Sequence, residues 1–160
     1  ALVKENIGYG DVERVKDDTG FYEASRKSEA WKFIKELTKQ YKTPLGRRIY
    51  DEGIELSIGQ WQKIALARAF FKDAQILCLD EPTAAIDAKA EYELFRKFKN
   101  LTKDKTTILI SHRFSTVKMA HKIAVIEKGR LKELGSHREL LRKNGIYAKL
   151  FRLQAESYKE

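Results

Sequence analysis

Two short runs of residues in this chain have the types and spacing needed for phosphate chemistry. The first, LSIGQ at Leu56–Gln60, places a serine and a glycine at the start of a helical pattern, where free backbone N–H groups can bind an anion. The second, ILCLDEP, ends an apolar strand pattern with two adjacent carboxylates, Asp80 and Glu81. One carboxylate of such a pair can hold Mg²⁺, usually through water, while the next orients an attacking water. The two runs together predict part of a site that hydrolyses ATP.

A histidine follows the next strand pattern along the chain. His112 comes directly after ILIS, and ligands of parallel α/β sheets bind beyond the carboxyl ends of the strands. An imidazole at that edge can hydrogen-bond a γ-phosphate and help to position the water. The alternatives are an exposed turn before Pro82 for the acidic pair, and a surface or capping role for His112.

The glycine-rich phosphate loop that would complete the site, G-x-x-x-x-G-K-[ST], does not occur in these 160 residues. The chain begins with Ala1 rather than methionine, so we expect it to be a fragment of a longer product. A fragment without that loop is not expected to hydrolyse ATP unaided.

The elements that must position these residues fall into two parts. Up to Glu55 the pattern is polar and helical, with Trp31, Ile34 and Leu37 on one side of an amphipathic helix or of two short ones, followed by an ordered loop over Thr43–Glu55. From Leu56 onward strands and helices alternate, which predicts an α/β fold with a parallel sheet. The first predicted element is a helix that begins at a Ser57–Gln60 capping box and runs to Phe71. It is followed by the strands Gln75–Leu79 and Thr106–Ile110, with a helix Ala88–Leu101 between them, and by a short helix Phe114–Met119. The last predicted elements are a hairpin of Lys122–Glu127 and Arg130–Leu134, a helix capped by Ser136 and Glu139, and a helix from Ile146.

The cysteine count, the lengths of the apolar stretches and the net charge limit the cellular setting and the partners that we expect. The single cysteine, Cys78, excludes an internal disulfide, and its place in an apolar run predicts a buried, reduced thiol in a strand covered on both faces. No apolar stretch approaches the roughly 20 residues that span a bilayer, and no signal peptide opens the chain. The net charge is +9, but the basic residues are scattered among acidic ones, so we expect no nucleic acid partner. A basic face near a membrane fits the charge better.

The order of LSIGQ, ILCLDEPTAAID and ILISHR resembles the nucleotide-binding domain of ATP-binding-cassette (ABC) transporters, and the resemblance covers the whole chain. ENIGYGD resembles the segment after the family's Q-loop, and TPLGRR and the C-terminal tail resemble those of exporters. Ile58 departs from the pattern where a signature glycine is common, and Ala84 departs where a D-loop serine is frequent. The matching positions are Leu56, Ser57, Ile58, Gly59 and Gln60 for the signature motif, Asp80 for the Walker B aspartate, Glu81 for the catalytic glutamate, Ala84–Asp87 for the D-loop and His112 for the switch histidine.

The resemblance implies a partial P-loop NTPase fold, with a helical subdomain and x-loop at 1–56 and the C-terminal part of the ATPase core at 57–160. It implies ATP and Mg²⁺ as ligands, with Asp80 on the metal, Glu81 and His112 as catalytic residues, and Leu56–Gln60 and Asp87 at the nucleotide. It also implies a head-to-tail dimer with a second nucleotide-binding domain, beneath the transmembrane domain of an exporter at the cytoplasmic face of the cell membrane. The A-loop aromatic residue, the Walker A lysine and the Q-loop glutamine would then precede Ala1.

Two other functions remain open from the sequence. One is a non-catalytic remnant or partner module that supplies only its signature face; such a chain would leave an unpaired, apolar sheet edge prone to aggregation. The other is a DNA-repair or chromosome-maintenance ATPase, which shares a signature motif. The chain shows no sustained heptads for the coiled-coil arms of those proteins, and its exporter-like x-loop and tail favour a transporter.

Overall fold

The computed structural model describes residues 1–47, 50–82 and 102–156. The predicted D-loop with Asp87, and the predicted helix Ala88–Leu101, lie outside the described residues. Short 3₁₀ turns occur at Val12–Arg14 and Gln40–Lys42. The described helices and strands, in chain order, are α1 (Val3–Gly8), α2 (Asp18–Lys27), α3 (Trp31–Ile34), α4 (Ile58–Lys72), β1 (Ile76–Asp80), β2 (Thr106–Ile110), α5 (Phe114–Val117), β3 (Ile123–Glu127), β4 (Arg130–Gly135), α6 (His137–Lys143) and α7 (Ile146–Glu156).

The N-terminal helices form a layer against one face of α4. Phe21 of α2 stacks on Phe71 of α4 with ring centroids 4.4 Å apart, and both side chains are buried. For this part the sequence allowed either one amphipathic helix or two short ones. The structure contains two short helices, α2 and α3. The helices separate at Ser28–Ala30 because Glu29 adopts a left-handed conformation (φ 62°), which a continuous helix cannot accommodate.

Helix α4 is the central element because it is buried on two sides. Ile64, Ala67 and Phe71 face the N-terminal helices, whereas Leu66 packs against Leu77 and Leu79 of β1. The helix begins at the predicted capping box, in which the Ser57 hydroxyl accepts the Gln60 N–H and the Gln60 side chain accepts the Ser57 N–H. Helix α4 therefore runs from the signature segment to the strand that carries the acidic pair, against which its Leu66 packs.

Strands β1 and β2 pair in parallel, in register from Ile76 with Thr106 to Asp80 with Ile110, which confirms the predicted parallel sheet. Burial alternates along β1, with Leu77 and Leu79 buried and Ile76, Cys78 and Asp80 exposed. The predictions that this strand is covered on both faces and that Cys78 is buried are therefore wrong. Within the described residues, Leu66, Phe70 and Met119 pack on the Leu77–Leu79 side, and Cys78 lies on the opposite face.

The C-terminal part contains the predicted hairpin and two helices. Strands β3 and β4 are antiparallel around Lys128 and Gly129, both of which have the positive φ that a two-residue hairpin turn requires. Helix α6 starts at the predicted Ser136–Glu139 capping box. The first two N–H groups of α7, at Ile146 and Tyr147, donate to the carboxylate of Glu133, each at 2.9 Å. Across the three described stretches, no helix combines the length and apolar character needed to cross a membrane.

Candidate functional site

The signature segment opens α4 with a solvent-exposed face at Ser57 and Ile58. Leu56 is buried in the N-terminal core, but the next two side chains are exposed, and Ile58 is 72% exposed. A β-carbon built on Gly59 would meet no atom within 4 Å. The Ser57 hydroxyl oxygen is occupied by the Gln60 N–H, whereas the capping bond leaves its hydrogen free to donate outward. The start of α4 thus presents a hydroxyl, backbone N–H groups and the positive end of a 15-residue helix to whatever approaches it.

Asp80 and Glu81 lie at the carboxyl end of β1, as the sequence predicts. Asp80 ends the strand opposite Ile110 and is exposed. Glu81 adopts a left-handed backbone conformation (φ 44°), and its N–H donates to the Ile110 carbonyl at 3.0 Å. A non-glycine residue in this region costs about 1 kcal/mol or more, so the surrounding structure must hold it there. The Glu81 main chain is therefore held at this edge of the sheet by its bond to β2.

His112 meets Glu81 across the two strand ends. The carboxylate oxygen Oε1 of Glu81 accepts the His112 backbone N–H at 3.1 Å and lies 2.7 Å from the imidazole Nδ1. Because an ionised carboxylate has no proton to donate, Nδ1 is the donor in this contact, and Nε2 is the ring nitrogen left for another group. The His112 side chain is 70% exposed, so that nitrogen can be approached from solvent. The ring and the main chain of His112 are therefore both bonded to the Glu81 carboxylate.

The structure brings Asp80, Glu81 and His112 to one edge, but it places the signature segment in the other part of the described chain. Leu56 belongs to the N-terminal core, and none of the hydrogen bonds and ion pairs of the described residues connects Leu56–Gln60 to the acidic pair. No group of three or more aspartate, glutamate, histidine or cysteine side chains arranged for a metal occurs among residues 1–47, 50–82 and 102–156.

One residue at this edge was missed by the sequence interpretation. The Gln154 amide, on α7, donates from Nε2 to the His112 carbonyl at 3.2 Å and accepts the Phe114 N–H at 2.8 Å. Nothing in the local pattern indicates this contact, because the two segments are some 40 residues apart and a glutamine near the end of a helix is ordinarily a solvated residue.

The other two histidines of the chain are His121 and His137. His121 is exposed before β3. Nδ1 of His137 hydrogen-bonds the Tyr147 hydroxyl at 2.8 Å, and its ring packs on Phe151 with centroids 5.2 Å apart. Partial burial, reinforced by the nearby charges of Lys118 and Arg138, lowers the pKa of His137 below its ordinary value. His137 is thus a neutral structural residue near pH 7.

Comparison with known proteins places this geometry in a family. The ABC transporter family profile matches residues 2–84. An ATP-dependent lipid A-core flippase of Alcanivorax borkumensis is 41% identical over 151 residues, covering 94% of this chain and 25% of that protein. The subtilin transport ATP-binding protein SpaT of Bacillus subtilis is 43% identical over 148 residues, covering 92% and 24%. This chain thus spans about a quarter of the length of the curated relatives it matches.

A solved structure gives the same result in three dimensions. The structure of a bacterial Atm1-family ABC exporter with ATP bound superposes with a TM-score of 0.85 at 34% sequence identity. The superposition covers 96% of this chain and 26% of that one. The fold predicted from the sequence, part of an ABC ATPase, is thereby confirmed.

Proposed function

The chain belongs to the ABC transporter family, and we propose that it is a portion of the ATP-hydrolysing domain of an exporter. The observation that carries the proposal is the contact of His112 with Glu81, held at the carboxyl ends of two parallel strands by a strained backbone at Glu81. The Glu81 side chain is also 35% exposed, so its carboxylate can face a ligand beyond the sheet while it holds His112.

In the proposed reaction Glu81 accepts a proton from the water that attacks the γ-phosphate. The Glu81 carboxylate lies beside His112, whose Nδ1 donates to Oε1. When the imidazole carries a proton on both nitrogens, Nε2 can donate a hydrogen bond to the phosphate. The histidine main chain, bonded to the same oxygen, fixes the distance between the base and the phosphate-binding group. Two groups held together in this way orient the water and the phosphate at once.

Asp80 fits a magnesium ion bound to phosphate, because it is an exposed carboxylate at the end of β1, next to the proposed base. When bound, the ion would neutralise charge on the phosphate oxygens. Asp87 would lie near the nucleotide as well, by its match to the family D-loop.

The signature segment serves a second nucleotide in this proposal. The Ser57 hydroxyl and the free N–H groups at the start of α4 donate to the γ-phosphate held by another nucleotide-binding domain, and Gly59 lets that phosphate approach the backbone. Two such domains would pair head to tail. Hydrolysis would drive transport through the transmembrane domain of the exporter, with the ATPase at the cytoplasmic face of the membrane.

The proposal is tested with Glu81→Gln in the intact transporter that contains this chain. The glutamine Oε1 can still accept both His112 bonds, so geometry is retained while the base is lost. We expect phosphate release to fall at least about 100-fold, the lower range of a general base. ATP-bound dimers should accumulate, as measured by size-exclusion chromatography of the domains or by crosslinking.

The matched control is Glu127→Gln, which changes an exposed carboxylate at the end of β3 and should leave turnover unchanged. Phosphate release within a few-fold of wild type in Glu81→Gln would exclude Glu81 as the base. It would favour a non-catalytic module that supplies only its signature face.

A further inference from the structure

We propose that Gln154 is a positioning residue for the proposed reaction, acting through His112 rather than on ATP. The inference rests on the proposed function, in which the His112 imidazole contacts the γ-phosphate. Gln154 lies on α7, outside all segments that resemble nucleotide-binding motifs.

The Gln154 side chain bridges the loop that carries the histidine. Its Nε2 donates to the His112 carbonyl at 3.2 Å, and its Oε1 accepts the Phe114 N–H at 2.8 Å. One planar amide thus holds the main chain on both sides of Arg113. An amide side chain offers both a donor and an acceptor for such a bridge, whereas a carboxylate lacks the donor and an aliphatic chain lacks both.

The position of this main chain determines where the imidazole lies. The His112 ring is largely exposed, so packing does little to orient it. Its position relative to Glu81 depends on two bonds to a single carboxylate oxygen, one from the ring and one from the His112 N–H. If the loop shifts, both bonds lengthen together. A residue that fixes the His112 carbonyl therefore fixes the contact between the proposed base and the proposed phosphate ligand.

Helix α7, which carries Gln154, is anchored to the rest of the C-terminal part at its N-terminal end. Glu133 caps its first turn, and Tyr147 and Ala148 are buried. Phe114, at the end of the bridged loop, meets the rings of Tyr147 and Phe151 with centroids 5.2 and 5.5 Å apart. Gln154 lies two helical turns, about 10 Å, beyond Tyr147. The loop is thus held by aromatic packing at one point and by the amide at another.

The test uses Gln154→Leu in the intact transporter, with Arg152→Leu as the control. Arg152 is an exposed residue of the same helix. We expect Gln154→Leu to lower kcat about tenfold, equivalent to about 1.4 kcal/mol, since the bonds to the His112 carbonyl and the Phe114 N–H are both removed. The KM for ATP should change less than about twofold, because neither bond reaches the nucleotide. Arg152→Leu should leave both constants unchanged.

A double-mutant cycle shows whether Gln154 acts through His112. In a His112→Ala background, Gln154→Leu should lower the remaining turnover less than about twofold, because the group it positions is gone. An equal fall in both backgrounds, or no fall in the wild-type background, overturns the inference and leaves the proposed function standing. Wild-type turnover in His112→Ala alone overturns the histidine's proposed role, and the inference with it.

Amide hydrogen exchange examines the same step without turnover, including where His112→Ala is too slow to measure. Gln154→Leu should speed exchange of the Phe114 N–H, whose acceptor it removes, and of the His112 N–H, which bonds Glu81. Arg152→Leu should speed neither. If the His112 N–H keeps its protection in Gln154→Leu, Gln154 only stabilises α7 and the inference is wrong.

Discussion

Replacing Gly59 by alanine separates what the chain needs to fold from what it needs to bind a phosphate. Gly59 lies in the first turn of α4, and an added β-carbon would meet nothing within 4 Å. Its backbone is not among those with positive φ, so alanine adopts the same conformation without strain. On folding grounds alone the glycine has no purpose.

The expected effect on stability is therefore a small gain. Glycine in a helix is about 0.5–1 kcal/mol less favourable than alanine, and a first-turn position should give the lower end of that range. In a domain of about 150–250 residues, a gain of about 0.5 kcal/mol raises the Tm by about 1–2 °C. Differential scanning calorimetry of the nucleotide-free transporter measures the shift.

The expected effect on turnover has the opposite sign. In the proposed function a phosphate held by the second domain approaches the backbone at Gly59, and a methyl group there forces it outward. Displacing a reacting group by about 1 Å can cost about 100-fold, so we expect phosphate release to fall at least tenfold. Gly10→Ala is the contrasting variant. Its β-carbon would lie 2.2 Å from the Arg68 carbonyl oxygen, so it should lower the Tm by overpacking without touching the nucleotide.

Two outcomes for Gly59→Ala would refute this reasoning. A fall in Tm would show that α4 itself requires the glycine. Unchanged turnover together with a raised Tm would show that nothing approaches Gly59 during the reaction, and the cross-dimer role of the signature segment would then be wrong.

Three further predictions concern other residues. Ser57→Arg should prevent ATP-dependent dimers, because a long cation fills the face that must close, while ATP binding to the separate domain persists; crosslinking and equilibrium ATP binding measure the two effects. His112→Ala should lower phosphate release by about 100-fold or more, whereas His121→Ala, an exposed histidine before β3, should not. Asp17→Asn should lower stability at pH 6 in chemical denaturation, and the difference from wild type should shrink as the pH falls below about 4. The Gly20 N–H and Arg14 lower the pKa of Asp17, so its contribution is present above the ordinary aspartate pKa of about 3.9 and is lost as the pH falls through the folded-state value.

Each of these has a result that contradicts it. Dimers that still form with Ser57→Arg place the signature segment outside the interface. Equal turnover in the two histidine variants removes His112 from the reaction. A stability difference for Asp17→Asn that is constant from pH 6 to pH 3 means that the Asp17 carboxylate is not stabilised by its charge.

Local patterns predict those features that depend on neighbours in sequence. The capping boxes at Ser57–Gln60 and Ser136–Glu139 are each complete within four residues, and the structure contains both. The hairpin turn is likewise a local feature, because Lys128 and Gly129 themselves adopt the positive φ values that a two-residue turn requires. The ends of β1 and β2 meet because parallel strands share an edge, which is why Glu81 and His112 could be expected in one place.

Features that depend on distant parts of the chain were not predictable in this way. The exposure of Cys78 depends on which side of β1 faces α4, and a continuous apolar run does not indicate a side. The left-handed conformation of Glu81 and its shared bonds with His112 arise from tertiary contacts. The Gln154 bridge joins segments that no short-range pattern relates. These unpredicted contacts are the ones that determine the geometry of the candidate site.

In the proposed function, Glu81 and His112 act on an ATP whose γ-phosphate also meets the signature segment of a second domain. The most direct measurement is a structure of the intact Glu81→Gln transporter trapped with ATP and Mg²⁺. We expect the γ-phosphate within hydrogen-bonding distance, about 3 Å, of the His112 ring on one domain and of Ser57 on the other. A γ-phosphate away from His112, or Ser57 and His112 of the same domain on one phosphate, would contradict it.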